Sequence, residues 1–373
     1  MNKHQDFIKK NNISPLGFGF MRLPTKDNEI DLDAVKEMVD AYISAGHNYF
    51  DTAYMYHGGK SEIALKHAVV ERYPRESVII VDKLPIWSIE SPPDVERIFN
   101  EQMERCGVEY FDIYLHHALN GELAAKAEAM GAFEFCAKMK AEGKIKQFGF
   151  SFHGSTDDIK NILEKHHEQI DIVQLQLNYF DWLKEYRDQF EVVASYNKPV
   201  VCMEPVRGGL LARLPEKIAA MLTEADPNVS QASWAVRWVG SVPDVVNVLS
   251  GMSNMAQMRD NLATFADFKL LSPQESVLTD KVAKTLADMP QIACTACNYC
   301  TNCPIGIPIA DIIGHYNKYL ETRSSYGFGM EYRKIDKDKN AAACTGCGAC
   351  LDMCPQSIDI PGVMREIAIL MDA

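Results

Sequence analysis

Long apolar runs are missing from this chain of 373 residues. No 18 consecutive residues are apolar, so no membrane-spanning helix and no membrane partner are expected. The N-terminal stretch MNKHQDFIKKNN is polar and does not resemble a secretory signal. With 47% hydrophobic and 24% charged residues, the composition is that of a globular protein. We therefore expect a cytoplasmic protein with one large domain and one small one.

An excess of basic residues is also missing. The formal net charge is −13 at pH 7, and proteins that bind nucleic acid without sequence preference need clustered Lys and Arg. We therefore expect no nucleic-acid partner.

The glycine fingerprint of a dinucleotide-binding sheet is incomplete, because GFGFMR (17–22) has one G-x-G and no third glycine. What the sequence does contain is a series of short apolar runs separated by amphipathic stretches. Eight strand–helix units close most simply into a (β/α)8 TIM barrel, which we predict over residues 1–285. The runs lie at 17–20, 48–50, 77–81, 111–115, 146–150, 171–177, 199–203 and 244–249.

Cysteine is sparse before residue 290, where Cys106, Cys136 and Cys202 are predicted to be small buried hydrophobic residues. The other eight cysteines form two runs in a predicted second domain, residues 286–373. The first run has the spacing C-x2-C-x2-C-x2-C-P, and the second has C-x2-C-x2-C-x3-C-P. The ligands of the two runs are Cys294, Cys297, Cys300 and Cys303, then Cys344, Cys347, Cys350 and Cys354.

Three kinds of site compete for these eight cysteines. Disulfides are not expected in a chain without an export signal, and a zinc site usually draws two ligands from each of two knuckles. Three cysteines at x2 spacing, then a fourth and a proline, are the ligand run of a bacterial-type [4Fe–4S] protein. We predict two [4Fe–4S] clusters with crossed pairing, in which Cys354 joins the first three cysteines of run one and Cys303 joins those of run two.

The region between the two runs has a helical pattern and no hairpin signal. The tail therefore resembles the all-helical type of ferredoxin, although its first run is one residue shorter than the ferredoxin pattern. The expected fold class is α/β, a TIM barrel followed by a small α-helical, ferredoxin-like iron–sulfur domain.

Polar side chains follow three successive predicted strands. Asp51 and Tyr56 come after the second strand, Lys83 after the third and His117 after the fourth. Each alone has an ordinary structural explanation, but active sites of TIM barrels lie at the carboxyl ends of the strands. The neighbouring His116 faces the other way along its strand and is left out.

These segments resemble the aldo-keto reductase family. The resemblance rests on NYFDTAYMYHGGKSE, VIIVDK and YFDIYLHHAL and extends over about residues 14–270. It implies that Tyr56 is the proton donor, that Lys83 and Asp51 tune it, and that His117 orients a substrate carbonyl. A cation beside a tyrosine stabilises its phenolate, so we expect Lys83 to lower the pKa of Tyr56 towards working pH.

The resemblance also implies a nicotinamide cofactor. Two positions where the family grips the 2′-phosphate of NADPH with cations are Gly251 and Gln257 here, so NADH is favoured. The family's Asn that follows Ser151 is Phe152 in this chain. The expected cofactor contacts are Ser151, Gln174, Glu204, Gly208, Gly209, Gly251, Gln257 and Asn261.

Three functions stay open at this stage. The first is reduction of a small carbonyl compound by a nicotinamide, with two clusters for electron transfer. The second is an iron–sulfur reductase that delivers single electrons to a substrate in the barrel without a nicotinamide. The third is an ordinary reductase with purely structural clusters. A ferredoxin or another electron-transfer protein is the macromolecular partner that fits the first two.

Overall fold

The computed structural model describes residues 4–372 and contains a closed barrel of eight parallel strands. Each strand pairs with the next one along the chain, and the last pairs with the first. All eight coincide with the predicted apolar runs, so the predicted TIM barrel is confirmed. The strands are β1 (Leu16–Gly19), β2 (Tyr49–Asp51), β3 (Ile79–Leu84), β4 (Phe111–Leu119), β5 (Ile145–Phe152), β6 (Ile172–Gln176), β7 (Val200–Met203) and β8 (Val245–Ser250).

Apolar side chains fill the barrel on both sides of its strands. Ile79, Val81 and Ile113 belong to a cluster inside the barrel, and a much larger cluster lies between the strands and the surrounding helices. A central strand with both faces buried has no polar face, which explains the continuous apolar runs. The inner packing closes the lower barrel and leaves the carboxyl ends of the strands for polar groups.

From residue 4 onwards, where the described part begins, twelve α-helices precede the second domain, and a short hairpin pairs Thr25–Lys26 with Glu29–Ile30. No helix among residues 4–372 is long and apolar enough to cross a membrane. The helices are α1 (Gln5–Asn11), α2 (Leu32–Ser44), α3 (Ser61–Leu65), α4 (Pro92–Cys106), α5 (Gly121–Ala129), α6 (Ala132–Ala141), α7 (Thr156–His166), α8 (Tyr186–Ser195), α9 (Glu216–Ala225), α10 (Gln231–Gly240), α11 (Met255–Ala266) and α12 (Pro273–Ala287).

Helix α12 connects the two domains. Ser272 caps it by accepting a hydrogen bond from the backbone of Glu275, and Val282 and Leu286 pack into the barrel's core. Because α12 packs on the barrel through its last turn, the chain leaves the barrel at the end of this helix. The predicted division between residues 285 and 286 falls in that turn.

The second domain is helical and has a separate hydrophobic core. Its helices are α13 (Ile309–Thr322), α14 (Ser325–Tyr332) and α15 (Ile360–Asp372). Ile312 and Ile313 of α13 pack with Met364 and Ile367 of α15. The two cysteine runs are loops that each precede one of these packed helices, so the core holds the two loops side by side.

Candidate active site

The four predicted catalytic residues line one cavity at the carboxyl ends of the strands. Asp51 ends β2, Tyr56 begins a short helical turn after it, Lys83 lies near the end of β3, and His117 lies on β4. All four side chains are buried, and they border a cavity of about 250 Å³. The barrel thus brings together residues that are up to 66 positions apart in the sequence.

A buried ion pair occupies the floor of this cavity. The Lys83 Nζ donates to Asp51 Oδ1 at 2.5 Å and to the Thr52 carbonyl at 2.8 Å, and it lies 3.5 Å from the Tyr56 hydroxyl. Both charged side chains are 2% exposed. Burial raises the pKa of Asp51 above its ordinary value, although the charge of Lys83 acts in the opposite direction. The lysine is therefore held by two acceptors and points its remaining donor at the tyrosine.

The pKa of the Tyr56 hydroxyl differs from the one expected from the sequence. Burial of its hydroxyl raises the pKa of Tyr56 well above 10, and the nearby charge of Asp51 raises it further. The prediction that Lys83 brings this pKa down towards working pH is wrong for this structure, because the lysine is paired with Asp51 and burial penalises the phenolate. Tyr56 is therefore a protonated hydroxyl at neutral pH, which is the form that gives a proton to a reduced carbonyl.

His117 sits at an irregularity in its strand. The register between β4 and β5 shifts between His116 and Leu119, and Ala118 has a positive φ of 53°. The bulge turns His117 into the cavity, while His116 lies on the outer side against Phe133 (ring centroids 4.6 Å apart). Burial, and then the charge of Lys83, lower the pKa of His117 well below 6.5, so the ring is neutral and one ring nitrogen carries a proton.

Two side chains beside this group fit the amide of a nicotinamide. The Gln174 Nε2 donates to Asp51 Oδ2 at 3.4 Å, whereas its Oε1 is buried and has no hydrogen-bond partner among residues 4–372. The Ser151 Oγ accepts from the Ala118 backbone N–H at 2.7 Å, which leaves its hydroxyl proton free to donate. A carboxamide needs one acceptor and one donor, and this pair, which lines the same cavity, supplies both.

The loop after β7 is only partly open to a cofactor. A Cβ on Gly208 would lie 2.1 Å from the Thr295 carbonyl, so the cysteine loop covers this glycine. The Gly208 N–H donates to the carboxylate of Glu204. This carboxylate therefore already accepts a hydrogen bond from the backbone of its own loop. Gly209 remains beside the guanidinium group of Arg213, with 3.3 Å between its ideal Cβ and a guanidinium nitrogen. A pyrophosphate would meet Gly209 and Arg213, and it would meet Gly208 and Glu204 only after this loop rearranged.

The far end of the cavity is lined by three of the expected cofactor contacts. Gly251, Gln257 and Asn261 all border it, together with Asp260. The Gln257 Oε1 accepts from the Ser253 backbone N–H at 2.7 Å, and neither Gly251 nor Gln257 brings a positive charge. Asp260 brings a carboxylate to this end of the cavity, and the side chain of Arg22 packs beside Gly251.

Four cysteines from both runs line a second, smaller cavity. Cys294, Cys297, Cys300 and Cys354 surround it, and burial raises the pKa of the Cys297 thiol to about 11. This is the grouping that the crossed pairing requires for one cluster. A soft cation that accepts thiolates would lower such a pKa outright, so the donor set fits iron–sulfur chemistry.

The other four cysteines lie together as well. Burial raises the pKa of the Cys350 thiol, and its neighbours Cys344, Cys303 and Cys347 raise it further; Cys347 is exposed. Both groups therefore take three cysteines from one run and one from the other. The clusters themselves stay a prediction.

The first cysteine loop lies on the mouth of the barrel. The Tyr299 hydroxyl is 3.0 Å from His117 Nε2, and Arg22 donates to the backbone carbonyls of Thr295 (2.9 Å) and Ala296 (3.2 Å). Tyr299 and Arg22 were not predicted as site residues. Tyr299 is conspicuous only through its place in the first cysteine run, and the sequence does not tell on which face of the barrel that run lies.

The second run also touches the mouth, because Gln356 donates to Gln176 Oε1 at 2.9 Å. Cys297 and Tyr299 border the cavity that holds the catalytic residues. The predicted cluster site nearest the barrel therefore shares a wall with the active site.

Two family models match the chain. The model described as "Aldo/keto reductase family" matches residues 15–284, and the model described as "4Fe-4S dicluster domain" matches residues 293–358.

Known proteins resemble the barrel part. An NADH-specific methylglyoxal reductase of Escherichia coli is 25% identical over 298 residues, which cover 67% of this chain and 89% of that protein. The aldo-keto reductase AKR11C1 of Bacillus halodurans, in its holo form, has a similar structure, with a TM-score of 0.59, 22% identity, and coverage of 72% of this chain and 92% of that one. An aldo-keto reductase of Klebsiella pneumoniae in complex with NADPH has a TM-score of 0.58 and 21% identity, with coverage of 76% and 94%.

Proposed function

Because the chain belongs to the aldo-keto reductase family, we propose that it reduces a small carbonyl compound with a nicotinamide cofactor, preferably NADH. We further propose that it carries two [4Fe–4S] clusters that transfer electrons. The observation that carries the first proposal is the single cavity shared by Tyr56, Lys83 and His117 with the free donor of Ser151 and the free acceptor of Gln174.

The residues of the cavity divide the chemistry of reduction among them. A bound nicotinamide supplies the hydride. His117 donates its Nε2 proton in a hydrogen bond to the carbonyl oxygen, which polarises the carbonyl and stabilises the oxyanion. Tyr56 gives its hydroxyl proton to that oxygen, and Lys83 stabilises the phenolate that remains. Asp51 accepts a hydrogen bond from Lys83 and holds it beside the tyrosine.

One observation favours a second candidate function, the delivery of single electrons to a substrate in the barrel. Cys297 borders the catalytic cavity and also lines the cavity of four cysteines. The cysteines would hold a cluster whose chemistry is one-electron transfer. The exposed Cys347 puts the other group of thiols within reach of a ferredoxin or another electron-transfer protein. We also propose a cytoplasmic location, because reducing compartments keep such thiols free of disulfides.

The test is anaerobic reduction of methylglyoxal and other small carbonyl compounds with NADH by the cluster-loaded protein, after iron and sulfide analysis. We expect Tyr56→Phe to lose turnover by about 10²–10⁴-fold, the usual contribution of a positioned proton donor, while NADH still binds. Tyr54→Phe is the matched control, because the Tyr54 hydroxyl donates to Glu101 outside the cavity.

Full turnover in Tyr56→Phe would contradict the proposed role of Tyr56. If no nicotinamide binds, and a substrate is reduced only when dithionite is supplied, the second candidate function replaces the first.

A further inference from the structure

We propose that Tyr299 is the gate of the substrate site: its hydroxyl occupies the place of the carbonyl oxygen, and a substrate binds only after this side chain has moved out. The inference rests on the proposed function, because it takes the space between Tyr56 and His117 as the subsite of that oxygen. The residue belongs to the iron–sulfur domain, where it stands between Cys297 and Cys300.

The contacts of Tyr299 are those that a substrate oxygen needs. Its hydroxyl lies 3.0 Å from His117 Nε2, and it is a close neighbour of the Tyr56 hydroxyl, because each of the two groups acts on the pKa of the other. These are the two groups that polarise and protonate a carbonyl oxygen. The space between these two donors holds one oxygen atom at hydrogen-bond distance. The Tyr299 hydroxyl and a substrate oxygen therefore cannot occupy it at the same time.

Tyr299 also stands between two spaces, both of which are bordered as well by Met21, Arg22, Tyr56, Ser253 and Cys297. On one side is the catalytic cavity, and on the other is an outer groove of about 620 Å³ between residues 21–25, residues 55–58 and the cysteine loop. Tyr299 borders both of them. Rotation of the ring towards the groove would free the oxygen subsite and join the two spaces, which gives a substrate both a path and room for its body.

The backbone that carries Tyr299 is anchored. Arg22 donates to the carbonyls of Thr295 and Ala296, and Thr295 packs directly on Gly208. These contacts hold the loop on the barrel, so the tyrosine side chain moves and the loop stays. The gate is therefore a rotation of one side chain, whose cost is set chiefly by the hydrogen bonds of one hydroxyl group.

Acetate is a suitable probe, because its oxygen accepts hydrogen bonds from the same donors and it needs no turnover. We expect Tyr299→Phe in the cluster-loaded protein to bind acetate up to about tenfold more tightly by calorimetry, because the hydrogen bond between the Tyr299 hydroxyl and His117 no longer competes with the ligand. Tyr299→Ala should also bind benzoate, whose ring takes the space of the missing side chain. The matched control is Tyr316→Phe, which loses a hydroxyl bonded to Glu366 within the same domain.

The outcomes separate this inference from the proposed function. Tighter acetate binding in Tyr299→Phe but not in Tyr316→Phe, with equal cluster absorbance, supports the gate. Equal affinity in the wild type and Tyr299→Phe, together with weaker binding in Tyr56→Phe, overturns the gate and leaves the proposed function in place. Failure of every variant to bind acetate overturns the gate and the oxygen subsite together, and the turnover of Tyr56→Phe then judges the proposed function separately.

Discussion

The buried pair of Lys83 and Asp51 makes a prediction that separates folding from catalysis. In Lys83→Met, the Asp51 carboxylate loses its ion pair and stays in a site with 2% exposure. Removing one partner of a buried pair costs about 3–5 kcal/mol of unfolding free energy. At roughly 2 °C per kcal/mol for a domain of this size, the melting temperature of the barrel falls by about 6–10 °C.

The loss depends on pH in a defined direction. Burial already raises the pKa of Asp51, and without Lys83 nothing opposes that shift. The folded state then holds a proton that the unfolded state releases, so the contribution of Asp51 to the stability of Lys83→Met is highest at low pH. It falls as pH rises from the unfolded value, about 4, through the raised pKa of the folded state.

The double variant Asp51→Asn/Lys83→Met removes both charges. We expect it to regain most of the lost stability, because no unpaired charge remains buried, and to lack turnover, because nothing stabilises the Tyr56 phenolate. Circular dichroism follows the barrel, cluster absorbance follows the second domain, and NADH consumption reports activity. A single variant as stable as the wild type at pH 8, or a double variant with normal turnover, would refute this account.

Three further predictions follow from the site. The kcat/KM should be higher with NADH than with NADPH, because each missing charge-assisted hydrogen bond to a 2′-phosphate is worth about 1.5–3 kcal/mol. A tenfold preference for NADPH would instead indicate that Arg213 binds the 2′-phosphate. The rate of reduction should stay constant from about pH 6 to 9, because the pKa of His117 lies well below 6.5 and that of Tyr56 well above 10. A change in rate with a midpoint near pH 6.5 that is absent in His117→Asn would contradict this. Dithionite should bleach the clusters anaerobically and NADH should not, since hydride carries two electrons and each cluster takes one; rapid bleaching by NADH would show a direct route.

The barrel, and the meeting of the four proposed catalytic side chains at its mouth, were predictable because both depend on local patterns. Eight apolar runs define the strands, and parallel strands place all their carboxyl ends on one face. Asp51, Lys83 and His117 needed no further information, since each lies at the end of its run. The two histidines of β4 were also separable, because successive side chains of a strand face opposite ways.

The position of the second domain on the barrel was not predictable in the same way. Tyr299 contacts a residue 182 positions away, and such a contact depends on which face of the barrel receives the tail. The raised pKa of Tyr56 also depends on the assembled site, because burial is its largest cause and the charge of Asp51 adds to it. The covering of Gly208 by Thr295 likewise comes from packing between domains, which a pattern within one segment does not report.

Each group of four cysteines takes members from both runs, and this has a consequence for the order in which the sites are completed during synthesis. The last barrel strand ends at Ser250, whereas the cavity beside the active site needs Cys354. At 5–20 residues per second, a ribosome takes roughly 5–20 s to make the intervening segment. The barrel therefore folds with its mouth uncovered, and neither set of four thiols is complete until both runs have been synthesised. Iron delivered earlier would find only three of the four ligands of the first set.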